Sequence, residues 1–208
     1  MIYDICTDNY SAFQIFERNK LKPRAYFIPF QDRKSSETVS LCDERYKSNL
    51  VKVLNGKWDF KYYPKFSDMP KRFDTSIVDF DEVNVPSMWQ YTGYEKPYYI
   101  NQNYPFGRKP PKIPTDDPVG LYKTIRNGKW TPLTVDNIYN SVGVYRKKIE
   151  ISDIEKIFII SFLGCSSCLE LYVNGSFHGY SEGSHNTAEF NITDKLGKGE
   201  NEIVVVVH

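Results

Sequence analysis

The first place to look for chemistry is a pair of thiols, Cys165-Ser166-Ser167-Cys168, whose spacing suits a redox couple or half of a zinc site. A tetrahedral zinc site needs a second close pair or histidine partners, and Cys6 and Cys42 stand 36 residues apart without such spacing. A redox couple is activated by opening a helix, whereas this pair falls between two strand-like runs. Small apolar residues in a sheet are the simpler reading. His178, His185 and His208 form no metal-binding pattern, and Gly164-Cys165-Ser166-Ser167 is no nucleophile elbow because a strand follows it. Acid pairs such as Asp79/Asp81 and Asp116/Asp117 read as solvated turn residues.

A different chemistry sits in Pro86-Ser87-Met88-Trp89-Gln90-Tyr91-Thr92-Gly93-Tyr94 and Pro97-Tyr98-Tyr99-Ile100-Asn101-Gln102-Asn103-Tyr104-Pro105. Sugars offer an apolar face of C–H groups and a rim of hydroxyls. Aromatic rings stack on the first, and uncharged amides, each both donor and acceptor, satisfy the second. This composition suits carbohydrate. Composition alone equally accommodates a loop whose rings merely pack it onto the fold.

Those loops need a scaffold. Phe, Trp and Tyr supply 15% of the 208 residues, a β-protein's palette, and the chain is long enough to bury a core without disulfides. Trp58, Phe60 and Tyr62 alternate with polar residues after the turn dipeptide Asn55-Gly56. Further strands are predicted at Phe80 to Val85, Val142 to Ile151, Ile157 to Leu163, Cys168 to Val173, Phe177 to Tyr180, Ala188 to Ile192 and Glu202 to Val207, with a hairpin turn at Asn174-Gly175. Strands at this spacing without long helices predict an all-β, antiparallel jelly-roll or galactose-binding-like β-sandwich. Residues 86–139 between them read as one long loop.

Residues 1–50 read as an irregular arm that packs on something else, with a short helix around Ser35 to Leu50 capped by Ser36. Residues 51–208 form the sandwich domain. Its final run, Ile203 to Val207, is apolar like a central strand, which suggests truncation at the C-terminal end. A formal charge of +1 with no basic cluster argues against nucleic acid as a partner, and no apolar run is long enough for a membrane helix. The N-terminus lacks a signal-peptide pattern, so a cytoplasmic location is expected, with all four thiols reduced.

The same loops carry a family resemblance. Asn55-Gly56-Lys57-Trp58-Asp59-Phe60, Val85-Pro86-Ser87-Met88-Trp89-Gln90 with Gly93-Tyr94, Pro97 to Pro105, Pro114 to Gly120, Val144-Tyr145-Arg146, Tyr172-Val173-Asn174-Gly175, Gly179 to Ser184 and Ala188 to Thr193 resemble, in order, the N-terminal sugar-binding domain of bacterial β-galactosidases of glycoside hydrolase family 2. Residues 1–50 match loosely, through Phe13-Gln14-Ile15 to Arg18-Asn19.

The resemblance implies a jelly roll ahead of an immunoglobulin-like domain and a catalytic TIM barrel, in a homo-oligomer that hydrolyses β-galactosides with magnesium on the barrel. This chain has no counterpart of the barrel and is expected to be inactive alone, with no catalytic residue of its own. It lends rim contacts to the terminal galactose: Asn101, with Gln102 beside it, matches the family's galactose-contacting asparagine. The family's second contact, an aspartate shared with a sodium ion, falls at Gly183, which has no side chain and so puts the sodium site in question. Glu182 next to it is the substitute carboxylate. The arm would then be a subunit-interface element. The stretch Tyr122 to Asn140, with Asn127-Gly128-Lys129-Trp130, stands as an insertion without a role. A free-standing carbohydrate-binding module, or the corresponding domain of a family 2 glucuronidase or mannosidase, is the alternative.

Overall fold

In a computed structural model the chain is described at residues 1–6, 8–12, 14–40, 42–95, 97, 122–126, 129–133 and 141–208. The strands are β1 (Ile2–Asp4), β2 (Glu17–Arg18), β3 (Gly56–Tyr63), β4 (Arg72–Asp74), β5 (Asp81–Val85), β6 (Tyr122–Arg126), β7 (Lys129–Leu133), β8 (Val142–Ile151), β9 (Ile159–Phe162), β10 (Cys168–Val173), β11 (Ser176–Glu182), β12 (Ala188–Asn191) and β13 (Gly199–Val207). Every strand predicted from sequence is present within a few residues. The all-β antiparallel sandwich is therefore what the chain forms.

Its centre is a seven-stranded antiparallel sheet in the order β2-β11-β10-β13-β8-β3-β5. The pair β9/β12 packs on one face, where Ile160 and Phe190 join Trp58, Leu169, Leu171, Ile203 and Val205. The pair β1/β4 packs on the other, where Tyr3 and Phe73 join Val142, Val144, Tyr172, Val204 and Val206. Alternation places odd and even residues of β13 in opposite cores. That is why Ile203 to Val207 is continuously apolar: the strand pairs with β8 and β10 and both its faces are covered. It is a protected central strand, so the aggregation argument for truncation does not apply to it.

Three expectations are corrected. The first residues are not only an external arm: β1 pairs with β4, β2 pairs with the sheet edge β11, and Tyr3 is fully buried edge-on to Tyr172. The arm's helix is the single turn Arg33–Glu37, because Asp32 rather than Ser36 caps it, accepting from the Ser35 N–H at 2.7 Å. The long loop is interrupted by the antiparallel pair β6/β7, which flanks Asn127-Gly128; those two residues lie outside the described set.

The turn at Asn174-Gly175 forms as predicted, with φ of 48° and 86°. The Asn174 amide holds it down, donating to Lys195 O at 2.7 Å and accepting from the Glu202 N–H at 2.9 Å.

His208 packs against Tyr10 at 4.3 Å and Phe66 at 5.4 Å, and neither ring nitrogen has a hydrogen-bond partner among the described residues. Burial pushes its pKa down to about 4. The folded ring stays neutral while the unfolded one takes a proton below pH about 6.5, so the stability is whole above that pH and is lost as pH falls towards 4. Urea titrations at pH 7 and pH 4 should differ by on the order of 3 kcal/mol through this group. In His208→Phe that increment should vanish; an unchanged pH dependence in the variant would refute the assignment.

Candidate functional site

The register aligns one end of the sheet in a single row. Tyr62 pairs with Gly143, Gly143 with Val207, Val207 with Leu169, and Leu169 with Ser181. The aromatic loop rises at the Tyr62 and Gly143 end of this row, and the turn containing Gly183 rises at the Ser181 end. Four strand spacings separate them, about 19 Å. Six residues lead from Glu95 to Asn101, a reach of at most about 20 Å, so the chain length permits the loop to approach the turn.

The loop is built by packing at its base. Trp89 stacks near Phe60 at 6.4 Å and lies 5.9 Å from Tyr62, while Tyr94 meets Phe60 edge-on at 4.9 Å. Gly143 makes room for this: a β-carbon there would stand 2.8 Å from both the Phe60 and Trp89 rings. One oxygen of Glu95 gathers donors from Trp89 Nε1 at 2.9 Å, Gln90 Nε2 at 3.0 Å and Ser141 Oγ at 3.4 Å. The Tyr94 hydroxyl donates to Asp81 at 2.8 Å, and burial with that carboxylate pushes its pKa up to about 12, so it remains a donor. The aromatic excess thus divides: Trp89 and Tyr94 pack the loop, whereas Tyr91 is 78% exposed. Asn101 and Gln102 lie outside the described residues.

At the other end of the row, Glu182 shares a face of β11 with Tyr180, whose hydroxyl donates to Glu182 Oε1 at 2.7 Å. Gly183 follows with φ +103°, its N–H donating to Ser167 O at 3.2 Å, and the Asn186 N–H closes the turn onto Gly183 O at 3.1 Å. Cys165, Ser181, Gly183, Asn186 and Ala188 meet here, packed too closely to admit a water. Tyr145 packs 4.6 Å from Phe60, and burial holds its hydroxyl protonated. Glu95 and Asn186 were not among the residues the sequence pointed to. Their value lies in contacts with segments distant in the chain or across a turn, which no local pattern records.

The thiols are as the simpler reading holds. Burial pushes Cys165 and Cys168 up to about 12, and Cys168 begins β10 rather than a helix. An aromatic disulfide reagent at pH 8 should label the exposed Cys42 rapidly and reach Cys165 and Cys168 only after unfolding. Fast labelling of either in the native state would contradict this burial.

A seven-stranded antiparallel sheet with a short strand pair on each face is, as a class, a β-sandwich, here with the aromatic loop of residues 86–95 anchored on it. The sequence matches the family described as "Glycosyl hydrolases family 2, sugar binding domain" over residues 51–132 and 131–208. The chain belongs to that family. It is 34% identical over 91% of its length to a β-galactosidase from Actinobacillus pleuropneumoniae, covering 16% of that protein. It is 36% identical over 82% of its length to one from Leuconostoc mesenteroides, covering 15%. The chain therefore spans about one-sixth of the curated relatives it matches. A solved β-glucuronidase from Ruminococcus gnavus overlaps 76% of this chain and 21% of its own, at 16% identity and a TM-score of 0.46, too loosely to bear on the ligand.

Proposed function

We propose that this chain is the galactose-rim domain of a β-galactosidase, supplying substrate contacts from Asn101, Gln102 and the Glu182-Gly183 turn to a catalytic barrel encoded beyond it. The observation that carries the reading is the sustained identity, about one residue in three over most of the chain, to proteins named β-galactosidase. The anchored base of the aromatic loop supports it, since Trp89, Tyr94 and Glu95 hold the segment that leads to Asn101. The sugar taken is a terminal β-galactoside. The whole protein is a cytoplasmic homo-oligomer with an immunoglobulin-like domain, a TIM barrel and a magnesium ion on that barrel, and the exposed Tyr26 and Phe27 of the first 50 residues contribute to a subunit interface.

The chain alone buries little of a sugar, so galactose or lactose should bind at best in the millimolar range and without hydrolysis. Supplying the downstream domains in trans should restore hydrolysis of a chromogenic β-galactoside, and Asn101→Ala should reduce that recovery at least tenfold. No recovery at any concentration, or equal recovery with a β-glucuronide, counts against the reading. Micromolar binding by the isolated chain would favour an independent binding module instead.

A further inference from the structure

The free strand edges of this sandwich are not alike. An uncharged edge recruits other strands, and proteins guard against this with charges, proline, very short strands or a cover. At one end of the seven-stranded sheet β5 carries Asp81 and Glu82, and at the other β2 is only Glu17 and Arg18. The outer edge of β12 is covered by the arm, where the Leu21 N–H donates to Glu189 O at 2.8 Å. The edge of β9 has none of these devices. From Ile157 to Leu163 the chain reads Ile-Phe-Ile-Ile-Ser-Phe-Leu, without a charge or a proline, and Ile154, Ile157, Ile159 and Leu163 are all exposed. Phe158 turns its backbone to the β12 side: its N–H donates to Thr193 Oγ1 at 2.8 Å and its carbonyl accepts from the Ile192 N–H at 2.9 Å. Alternation along an antiparallel strand then sends the N–H and C=O of Ile159 and Ser161 the other way, where β9 has no strand neighbour among the described residues.

We propose that this edge docks a second copy of the chain, two β9 strands pairing antiparallel across a two-fold axis at Ile160 and joining their β9/β12 pairs into one four-stranded sheet. Self-complementarity selects the occupant, because a two-fold contact requires a strand to match its own reversal. About Ile160 this strand does so: Ile157 falls opposite Leu163, Phe158 opposite Phe162, and Ile160 opposite itself. Ile159 and Ser161, whose backbone groups point outward, meet as a hydrogen-bonded pair. The flanking Glu155 and Lys156 fall opposite Cys165 and Gly164, so no like charges are brought together along the strands. Ile160 belongs to the core and Phe158 and Phe162 pack on it, so the pairing continues one apolar layer from copy to copy. A stable interface buries about 800 Å² on each partner, more than one short strand supplies, so the dimer is weak, with a dissociation constant on the order of 100 μM. The inference does not rest on the galactose reading.

The test is sedimentation velocity of the full 208-residue chain from about 5 to about 500 μM, with amide hydrogen exchange over residues 157–163 at the same concentrations. The expected result is a reversible monomer–dimer equilibrium in which protection of the Ile159 and Ser161 amides rises with the dimer fraction. Ile159→Lys and Leu163→Lys each place a charge on a solvent-facing position of the edge and should weaken the dimer at least about tenfold, with the circular dichroism of the dilute monomer unchanged. Ile77→Lys, at an exposed isoleucine outside β9 and its flanks, should leave the dimer intact. A monomer throughout this range overturns the proposal, as does a dimer whose Ile159 and Ser161 amides exchange as freely as the monomer's. Equal weakening by Ile77→Lys would mean unspecific association and overturns it too. Protection that arises only when downstream domains are added in trans assigns the edge to those domains instead of a second copy.

Discussion

Replacing Arg146 with alanine should lower the unfolding free energy by about 2–3 kcal/mol, because it removes the cation from a partly buried ionic network and leaves the nearly buried Glu202 carboxylate behind. Arg146 lies in β8 with its side chain 18% exposed. Its Nε and Nη2 donate to Asp59 at 2.7 and 2.6 Å, its Nη1 to Thr75 O at 2.8 Å, and its guanidinium lies 4.2 Å from the Phe80 ring centroid. Glu202 Oε2 is 3.9 Å away, and this nearly buried carboxylate also accepts from Tyr3 OH at 2.7 Å and Thr75 Oγ1 at 2.8 Å. One side chain thereby ties β3, β8, β13 and the β1/β4 layer together. Urea unfolding of Arg146→Ala measures the loss, and Arg146→Lys should fall between, keeping the charge without the planar fork. A loss below about 1 kcal/mol for Arg146→Ala would place the pair in the class of exposed surface bridges.

The second large effect is on the opposite face. Phe190→Ala should cost about 3–5 kcal/mol, the range for truncating a fully buried aromatic. Phe190 packs edge-on to Phe162 at 6.3 Å and His178 at 6.4 Å. Its ring lies within 2.5 Å of the position a β-carbon would take at Gly179, so β12 seats directly on the backbone of β11. Because β12 begins two residues after Asn186, unseating it frees the turn at Gly183. Hydrogen exchange should therefore show lost protection in β9 and β12 before the central sheet. Uniform loss of protection across the sheet would refute this ordering of the layers.

Much of this was readable in the chain itself. The alternation of Trp58, Phe60 and Tyr62 and the Asn174-Gly175 turn identified strands because a pleated backbone sends side chains to opposite faces with a period of two. The family motifs likewise needed only local order. Of the strands that escaped notice, β6 and β7 lie inside the stretch read as one loop, and β1, β2 and β4 have two or three residues each, too few to display a period. Their places come from partners more than 60 residues away.

What the sequence determined alone was the type of fold, the aromatic and amide composition of the segment from Trp89 to Tyr104, and the missing side chain at Gly183, each a property of residues adjacent in the chain. The tertiary structure decided the rest. It covered both faces of Ile203 to Val207, made Glu95 the anchor of Trp89, and set the Asn186 amide where a side chain at residue 183 would stand. These are consequences of close packing between segments distant in sequence or folded back across a turn, and such packing depends on distances in space that no linear pattern encodes.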